Sequence, residues 1–220
     1  ILHDDAFIIN TKEKFTIALE PSYFDKTIDY PIGSEANKYI LTHQNEGAIQ
    51  LSNGDIVTIP EDIRNGNGRA VKSKLWSPNR VNRINEPLNA IFWLMKDPTI
   101  PPVIKLEGAA LGSAMGATLA TKRTAAERLA EGVDPNAIVV EPYANPFRVH
   151  PLAIDYERFK QLIKDGVDCY VLNTGEFMGQ DIPSSITLGI IESIVEKTAN
   201  FHNWESFNDI KIMDIAGYNT

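Results

Sequence analysis

Two adjacent aspartates, Asp4 and Asp5, stand close to the apolar start of the sequence, ILHDDAF. A carboxylate is costly in a protein core unless it is paired or bound to a metal, so two of them at the end of a buried strand indicate a cleft. Hard oxygen ligands of this kind hold Mg²⁺ or Mn²⁺ against substrate phosphates. The pair therefore predicts a divalent metal site, and the alternative is a solvated turn or helix cap.

Arg80 and Arg83 stand among small polar residues in the stretch SPNRVNR. A guanidinium presents a planar fork of N–H donors that can hold a phosphate or carboxylate through two parallel hydrogen bonds. The stretch therefore predicts an anion-binding arginine just after a loop, and the alternative is an ordinary surface arginine.

A tight glycine turn, Asn173-Thr174-Gly175, follows the apolar run CYVL. The carboxyl ends of strands are where α/β proteins bind their ligands. The turn therefore predicts a ligand-binding edge, and the alternative is a plain connection between a strand and a helix.

The other residue types with catalytic potential form no recognisable pattern. The four histidines lack the spacing of a metal site, and no serine stands in a nucleophile elbow. The polar stretch RNGNGRAVKSK lacks the Gly-Lys-Ser/Thr ending of a P-loop, so we expect an exposed loop there. The single cysteine, Cys169, lies in an apolar run, which predicts a buried free thiol.

The composition is that of an ordinary globular protein, with 220 residues of which 43% are hydrophobic and 23% charged. A net charge of −8 argues against the basic face that non-specific nucleic-acid binding needs. One cysteine excludes an internal disulfide, and no apolar run reaches the length of a membrane span. We therefore expect a cytoplasmic protein that binds neither nucleic acid nor membranes.

The first third of the chain is predicted to be mostly β. The stretch FTIALE reads as a strand, and Asn53-Gly54 stands between two alternating runs, which is typical of a hairpin. Further along, the apolar stretch LNAIFWLM predicts a strand that is buried on both faces.

An amphipathic helix followed by a buried strand is predicted in the second half. Tyr156, Phe159, Leu162 and Ile163 share one helical stripe, and the strand CYVLN comes directly afterwards. This order of helix and strand predicts an α/β layer. The predicted fold class is therefore α/β, a mixed α+β fold in which mixed sheets pack against helices.

Three glycines, Gly108, Gly112 and Gly116, recur every four residues. On a helix they would place small residues on one face, and close helix packing is favoured over ligand binding because no lysine stands among them. A last helix is predicted to begin at a serine cap in the stretch SSITLGIIESIVEK, and the segment after it reads as a mixed tail.

Several of these stretches, in this order, resemble phosphoenolpyruvate carboxykinase, particularly the nucleotide-binding C-terminal lobe of its ATP-dependent type. The most specific stretch is VHPLAIDYERFKQLIKDGVDCYVLNTGEF, which is similar to that family's His-Pro, amphipathic helix and strand ending in Val-Asn-Thr-Gly. The stretch AIFWLMKDPTIPPVIKL is similar to the family's buried strand and Pro-Pro-Val turn, and ALEPSYFDKTI and PNRVN resemble two further segments. The resemblance spans most of residues 1–200.

The resemblance implies a single carboxykinase-like C-terminal domain over residues 1–220. A P-loop and an N-terminal lobe are expected before Ile1, and that N-terminal part of the same polypeptide would supply further metal and substrate ligands. The implied reaction converts oxaloacetate and ATP to phosphoenolpyruvate, CO₂ and ADP, with Mg²⁺ or Mn²⁺ as the ion and ATP or GTP as the nucleotide. We expect the isolated chain to be inactive, because the lysine and glycine amides of the P-loop, which would bind the phosphates, lie outside it.

The resemblance also implies a role for individual residues. Asp5 would ligate the catalytic ion, and Asp4 would hold a second ion or its waters. Arg80 would contact both the γ-phosphate and the substrate, and Lys26 would be a lysine of the cleft. The residues that the resemblance places at the nucleotide are Glu35, Arg80, Ile182 and Thr187.

The stretch GQDIPSS departs from the family pattern. Asp181 stands where the family has an arginine that packs on the base, and a carboxylate cannot stack as a guanidinium does. Two other functions therefore stay open. One is a non-catalytic ligand-binding or scaffold domain on the same fold, and the other is a kinase with a carboxykinase-type core and a different acceptor.

Overall fold

The computed structural model describes residues 7–18, 24–26, 32–42, 48–58, 69–71, 75, 83–122, 132–134, 136–145 and 148–218. The chain falls into two compact units, Ile1–Pro87 and Leu88–Thr220. The elements combine several sheets with a few helices, so the mixed α+β class predicted from the sequence is confirmed. The predicted carboxykinase-like domain stays a prediction.

The described part of the first unit consists mainly of short strands. Its described elements are β1 (Phe7–Asn10), β2 (Phe15–Ala18), β3 (Phe24–Lys26), β4 (Ala48–Gln50), β5 (Ile56–Thr58), β6 (Arg69–Val71), β7 (Arg83–Ile84) and a 3₁₀ helix, Glu35–Thr42. They pair as a three-stranded sheet in the order β1-β2-β7 and as two ribbons, β3-β6 and β4-β5. The predicted hairpin around Asn53-Gly54 is confirmed, because β4 and β5 flank that turn as an antiparallel pair.

A buried amide joins the 3₁₀ helix to this hairpin. Asn37 donates from Nδ2 to the carbonyl oxygen of Ile56 at 2.8 Å and accepts at Oδ1 from the N–H of Ile56 at 2.9 Å. Ile40 and Ile56 are buried beside it. The side chain of Asn37 therefore satisfies the backbone N–H and carbonyl oxygen of Ile56, which would otherwise need backbone partners inside this small core.

The described part of the second unit contains one large mixed sheet and three helices. Its elements are β8 (Ala90–Met95), β9 (Val103–Leu106), α1 (Ala109–Ala117), β10 (Ala120–Lys122), β11 (Ile138–Val140), α2 (Leu152–Lys164), β12 (Asp168–Asn173), β13 (Glu176–Phe177), β14 (Gln180–Asp181), α3 (Ser184–Val195), β15 (Phe201–Trp204) and β16 (Phe207–Met213), with a 3₁₀ turn at Pro142–Ala144. The sheet has the order β15-β16-β9-β12-β8. Strands β12 and β8 are parallel, and the other pairs are antiparallel.

The helix and strand that carry the most specific stretch have the predicted form. Strand β12 is buried from Cys169 to Asn173, and α2 packs against α1 and the core through Phe159, Leu162 and Ile163. The α/β layer is therefore confirmed, because α2 leads directly into a strand that runs parallel to β8.

Two of the three glycines of the predicted stripe pack closely, and Gly108 does not, since a Cβ atom there would meet no atom within 4 Å. A Cβ atom at Gly112 would lie 2.8 Å from Cδ1 of Ile163, and one at Gly116 would lie 2.7 Å from the ring of Trp93. Gly108 precedes the helix as its N-cap. The small residues therefore let α1 approach its neighbours to distances that any larger side chain would prevent.

Three predictions about elements are wrong in part. Strand β8 is not buried on both faces, since it lies at one edge of the sheet as described and the side chain of Leu94 is 51% exposed. Helix α3 has Pro183 as its N-cap and no capping side-chain hydrogen bond, so the serine cap is absent. The segment after α3 forms the hairpin β15-β16, and β16 is an inner strand between β15 and β9.

No helix in the described part of the chain is long and apolar enough to cross a membrane.

The predicted buried thiol is confirmed, and its burial gives the fold a pH dependence. Burial raises the pKa of Cys169 to about 12, well above the value near 8.5 that an exposed cysteine has. Since the folded state holds this proton more tightly, its contribution to stability is present below about pH 8.5 and is lost as the pH rises through about 12. Urea unfolding at about pH 8 and pH 10 should therefore show lower stability at the higher pH.

Cys169→Ala provides the matched comparison for this pH dependence. Burial also raises the pKa of Tyr143 and Tyr170, so part of the alkaline loss should remain in the variant. We expect a shallower fall in the free energy of unfolding between the two pH values. An identical fall in both proteins would show that the thiol does not contribute.

Candidate functional site

An open pocket of about 240 Å³ lies at one edge of the large sheet in the second unit. It is lined by Lys96, Pro98, Lys122, Gly175, Glu176 and Asp181. Lys96 directly follows the last residue of β8, and Gly175 lies two residues after the end of β12. These strands are neighbours and parallel, so the pocket is at the carboxyl ends of adjacent parallel strands, where α/β proteins bind their ligands.

Asn173 holds the turn that forms one wall of the pocket. Its side chain is fully buried, and its Nδ2 donates to the carbonyl oxygens of Asp97 at 2.7 Å, Ile100 at 2.6 Å and Glu176 at 2.8 Å. Its Oδ1 accepts from the N–H of Gly175 at 3.0 Å. One buried amide therefore joins the end of β12 to the loop after β8, which fixes the wall before any ligand arrives.

Backbone hydrogen bonds bring the two lysines to the same pocket. The N–H of Lys122 donates to the carbonyl oxygen of Lys96 at 2.9 Å, and the N–H of Lys96 donates to Oγ1 of Thr121 at 3.0 Å. The N–H of Thr174 donates to the carbonyl oxygen of Met95 at 2.8 Å. The ends of β8, β10 and β12 are therefore tied together where the pocket opens.

Gly175 permits a close approach of the turn to β8. A Cβ atom at this position would lie 3.0 Å from Cβ of Lys96 and 3.3 Å from its Cα. A larger residue would require the turn or Lys96 to shift by a few tenths of an ångström. The turn that the sequence marks by its glycine is therefore in close contact with β8.

The hairpin β13-β14 forms the opposite wall. Its turn, Met178-Gly179, has positive φ at both residues, as a two-residue hairpin turn requires. The N–H of Met178 donates to the carbonyl oxygen of Pro98 at 3.2 Å, and the N–H of Ile182 donates to that of Gly175 at 2.8 Å. The hydroxyl of Tyr218 donates to the carbonyl oxygen of Asp181. Contacts on both sides therefore hold the hairpin in place.

Two ammonium groups and two carboxylates line the pocket, and one of the ammonium groups forms an ion pair with one of the carboxylates. Lys122 Nζ lies 2.7 Å from Oε1 of Glu176, with about a third of each side chain exposed, so this ion pair contributes at most about 1 kcal/mol. Glu176 and Asp181 are direct partners across the hairpin, where like charges are unfavourable. Among the described residues, no ion pair or side-chain hydrogen bond engages the carboxylate of Asp181 or the ammonium of Lys96.

The metal site and the arginine predicted from the sequence lie outside the described residues. This applies to Asp4, Asp5 and Arg80. Within the described ranges, no group of three or more His, Cys, Asp or Glu side chains is arranged to hold a metal ion. The predicted metal site therefore stays a prediction.

The predicted nucleotide residues lie in different parts of the fold. Glu35 begins the 3₁₀ helix of the first unit, where it is exposed and lies 3.6 Å from Lys38. Lys26 ends β3, and its side chain is outside the described part. In the second unit, Ile182 and Thr187 are buried next to the hairpin and within α3. Neither of these two lines the pocket, which takes in the adjacent Asp181 instead.

Sequence reasoning missed the two lysines of the pocket. Lys96 follows the apolar run of β8, and Lys122 ends the short strand β10. A charge that directly follows an apolar strand is a signal that could have identified Lys96. Lys122 gives no such signal, because the strand it ends is short and only partly buried.

A scan against protein-family models found no family that matches this chain, and a search of curated proteins found no match either. The assignment of this site therefore rests on its position in the sheet, its charges and its buried support.

Proposed function

We propose that this chain is part of an enzyme that transfers a phosphoryl group from a nucleotide to a small carboxylate. The simplest form of the reaction starts from oxaloacetate and ATP. A carbon–carbon bond of oxaloacetate breaks to release CO₂, and the enolate oxygen that results takes the γ-phosphoryl group to give phosphoenolpyruvate and ADP. In this proposal the pocket of the second unit holds the nucleoside end of the nucleotide.

One observation carries the proposal. The turn Asn173-Thr174-Gly175, which ends the stretch that most resembles the carboxykinases, forms a wall of the pocket. Position in the sheet and resemblance of sequence are independent lines of reasoning, and both select the same turn. Ile182, which the resemblance places at the nucleotide, donates its N–H to Gly175 of that turn.

The described residues would act by positioning rather than by bond making. Asn173 and the backbone ties around it fix the pocket in advance, which lowers the entropy lost on binding. Lys96 and Asp181 place one hydrogen-bond donor and one acceptor at the pocket, while Lys122 is paired with Glu176, so the charges balance and suit an uncharged polar group such as a base. A divalent ion held by Asp4 and Asp5 would supply the charge that neutralises the phosphates.

The test is a coupled assay of the native polypeptide that contains residues 1–220, with oxaloacetate and Mn²⁺, run with ATP and with GTP. We expect phosphoenolpyruvate to form and to disappear in Asp5→Asn and in Arg80→Ala. Asp134→Asn, an exposed carboxylate in a turn, is the control and should retain activity. A folded protein that forms no phosphoenolpyruvate with metal present would contradict the proposal.

A second function is favoured by one observation. Asp181 replaces an arginine of the carboxykinase pattern, and among the described residues its carboxylate has no partner in the pocket. This negative charge would suit a domain that binds a ligand without catalysis. Such a domain would bind nucleotide and turn over none. A kinase with a different acceptor would consume the nucleotide without decarboxylating oxaloacetate. Phosphoenolpyruvate formation, nucleotide consumption and nucleotide binding, measured side by side, therefore separate the three possibilities.

A further inference from the structure

The charge pattern of the pocket leaves one acceptor and one donor without a partner. Lys122 neutralises Glu176 at 2.7 Å, which leaves the carboxylate of Asp181 and the ammonium of Lys96 unengaged among the described residues. Asp181 also faces Glu176 across the hairpin, an arrangement that costs stability. A carboxylate kept at such a position is suited to a ligand that brings hydrogen-bond donors.

The backbone around Asp181 is held from two directions. Tyr218 donates its hydroxyl proton to the carbonyl oxygen of Asp181, and the N–H of the next residue, Ile182, donates to Gly175 at 2.8 Å. Ile182 is buried in a small cluster with Phe177 and Tyr218. The backbone that carries Asp181 is therefore fixed, and its exposed side chain leaves the carboxylate accessible to a ligand.

Of the two common purines, guanine fits this pair of groups. Its polar edge carries a carbonyl oxygen, a ring N–H and an amino group, so one carboxylate can accept two hydrogen bonds from it and an ammonium can donate one. Adenine presents an unprotonated ring nitrogen at the same place, and that lone pair would repel the carboxylate. The cavity of about 240 Å³ has room for one purine ring system.

We propose that this pocket selects guanine over adenine, with Asp181 accepting from the ring N–H and the amino group and Lys96 donating to the carbonyl oxygen. The inference rests on the proposed function, because it takes the pocket to hold the nucleoside end of a nucleotide. It makes GTP rather than ATP the nucleotide of that reaction. It assigns Asp181 a role in specificity. The arginine that the carboxykinases have at this position could not fill that role, because a guanidinium has no hydrogen-bond acceptor.

The experiment is calorimetric titration of the native polypeptide containing residues 1–220 with GMP, AMP and XMP. We expect GMP to bind on the order of 10-fold or more tighter than AMP, as one bidentate contact to a base typically provides. In Asp181→Asn the side-chain amide can donate to the second carbonyl that xanthine carries in place of the amino group of guanine. The variant should therefore prefer XMP to GMP.

Asp209→Asn is the matched control, since it removes the same charge from another exposed strand residue, and it should keep the wild-type order of affinities. A gain of XMP binding cannot come from misfolding of the variant. If AMP binds as tightly as GMP, or if Asp181→Asn leaves the order unchanged, the inference is overturned and the proposed function stands. If none of the three nucleotides binds while phosphoenolpyruvate still forms in the coupled assay, the inference is overturned and the proposed function stands; if neither is observed, both are overturned.

Discussion

Asn173→Ala is expected to lower the free energy of unfolding by about 2–5 kcal/mol, the range for losing a buried hydrogen-bond network and leaving a cavity. The side chain is fully buried; the two N–H groups of Nδ2 are shared among three carbonyl oxygens, and Oδ1 accepts from the N–H of Gly175. Removing it leaves these four groups without that partner. A polar group costs about 1–3 kcal/mol only where water cannot reach it, and three of the four hydrogen bonds are partly buried, so the losses do not simply add.

Urea unfolding followed by circular dichroism would measure this loss. Asn203→Ala is the matched control, because Asn203 is exposed and accepts a hydrogen bond from Lys211 at the surface. Its free energy of unfolding should change by less than about 0.5 kcal/mol. A loss for Asn173→Ala as small as that of the control would show that the network contributes little to stability.

The same variant has a consequence for the pocket. Because Asn173 joins the turn at Gly175 to the loop after β8, its loss should loosen the wall even in the fraction of molecules that stays folded. Hydrogen exchange of the N–H of Gly175 is expected to accelerate relative to that of Val171 in the centre of β12. Equal protection of the two amides in the variant would contradict this.

Gly116→Ala is expected to lower the free energy of unfolding by about 1–3 kcal/mol, although alanine is the better helix former. The added Cβ would lie 2.6 Å from a ring atom of Tyr143 and 2.7 Å from one of Trp93. Neither ring can move easily. Tyr143 donates its hydroxyl proton to the carbonyl oxygen of Ser113 and stacks on Phe159 at 4.2 Å, and Trp93 is buried beside both.

Gly189→Ala is the control that separates crowding from helix propensity. A Cβ at Gly189 meets no atom within 4 Å, and the residue lies inside α3. The free energy of unfolding should therefore rise by about 0.4–1 kcal/mol, since alanine loses less conformational entropy than glycine on folding. If alanine raised the free energy of unfolding at both positions, the aromatic rings around Gly116 would have to move aside at little cost. The close packing at Gly116 would then contribute nothing measurable to stability.

Predictions that depended on spacing within one segment were the accurate ones. The four-residue repeat of Gly112 and Gly116 identified a closely packed helix, and the stripe of α2 and the apolar run of β12 identified their buried faces. The Asn53-Gly54 turn identified its hairpin. Each of these signals is complete within a dozen residues, so no knowledge of the partner element is needed.

Apart from the serine cap of α3, which is a local signal, the predictions that failed depended on the neighbours of a segment. Strand β8 has a continuous apolar sequence, and yet it lies at an edge of the described sheet with Leu94 exposed. Strand β16 has many polar residues, and yet it lies inside the sheet. Its Lys211 remains at the surface beside Glu107 at 3.5 Å. Position in a sheet depends on which strands pair, and hydrophobic pattern alone does not contain that information.

By itself, the sequence determined the mixed α+β class, the buried thiol, the packed glycine stripe and the turn at Gly175, because local spacing sets all of these. Only the tertiary structure decided which charges share the pocket. Lys122 and Glu176 are 54 positions apart, and Lys96 reaches them through parallel pairing of β8 with β12. Groups that far apart meet only when the strands carrying them align, and that alignment is a property of the whole core.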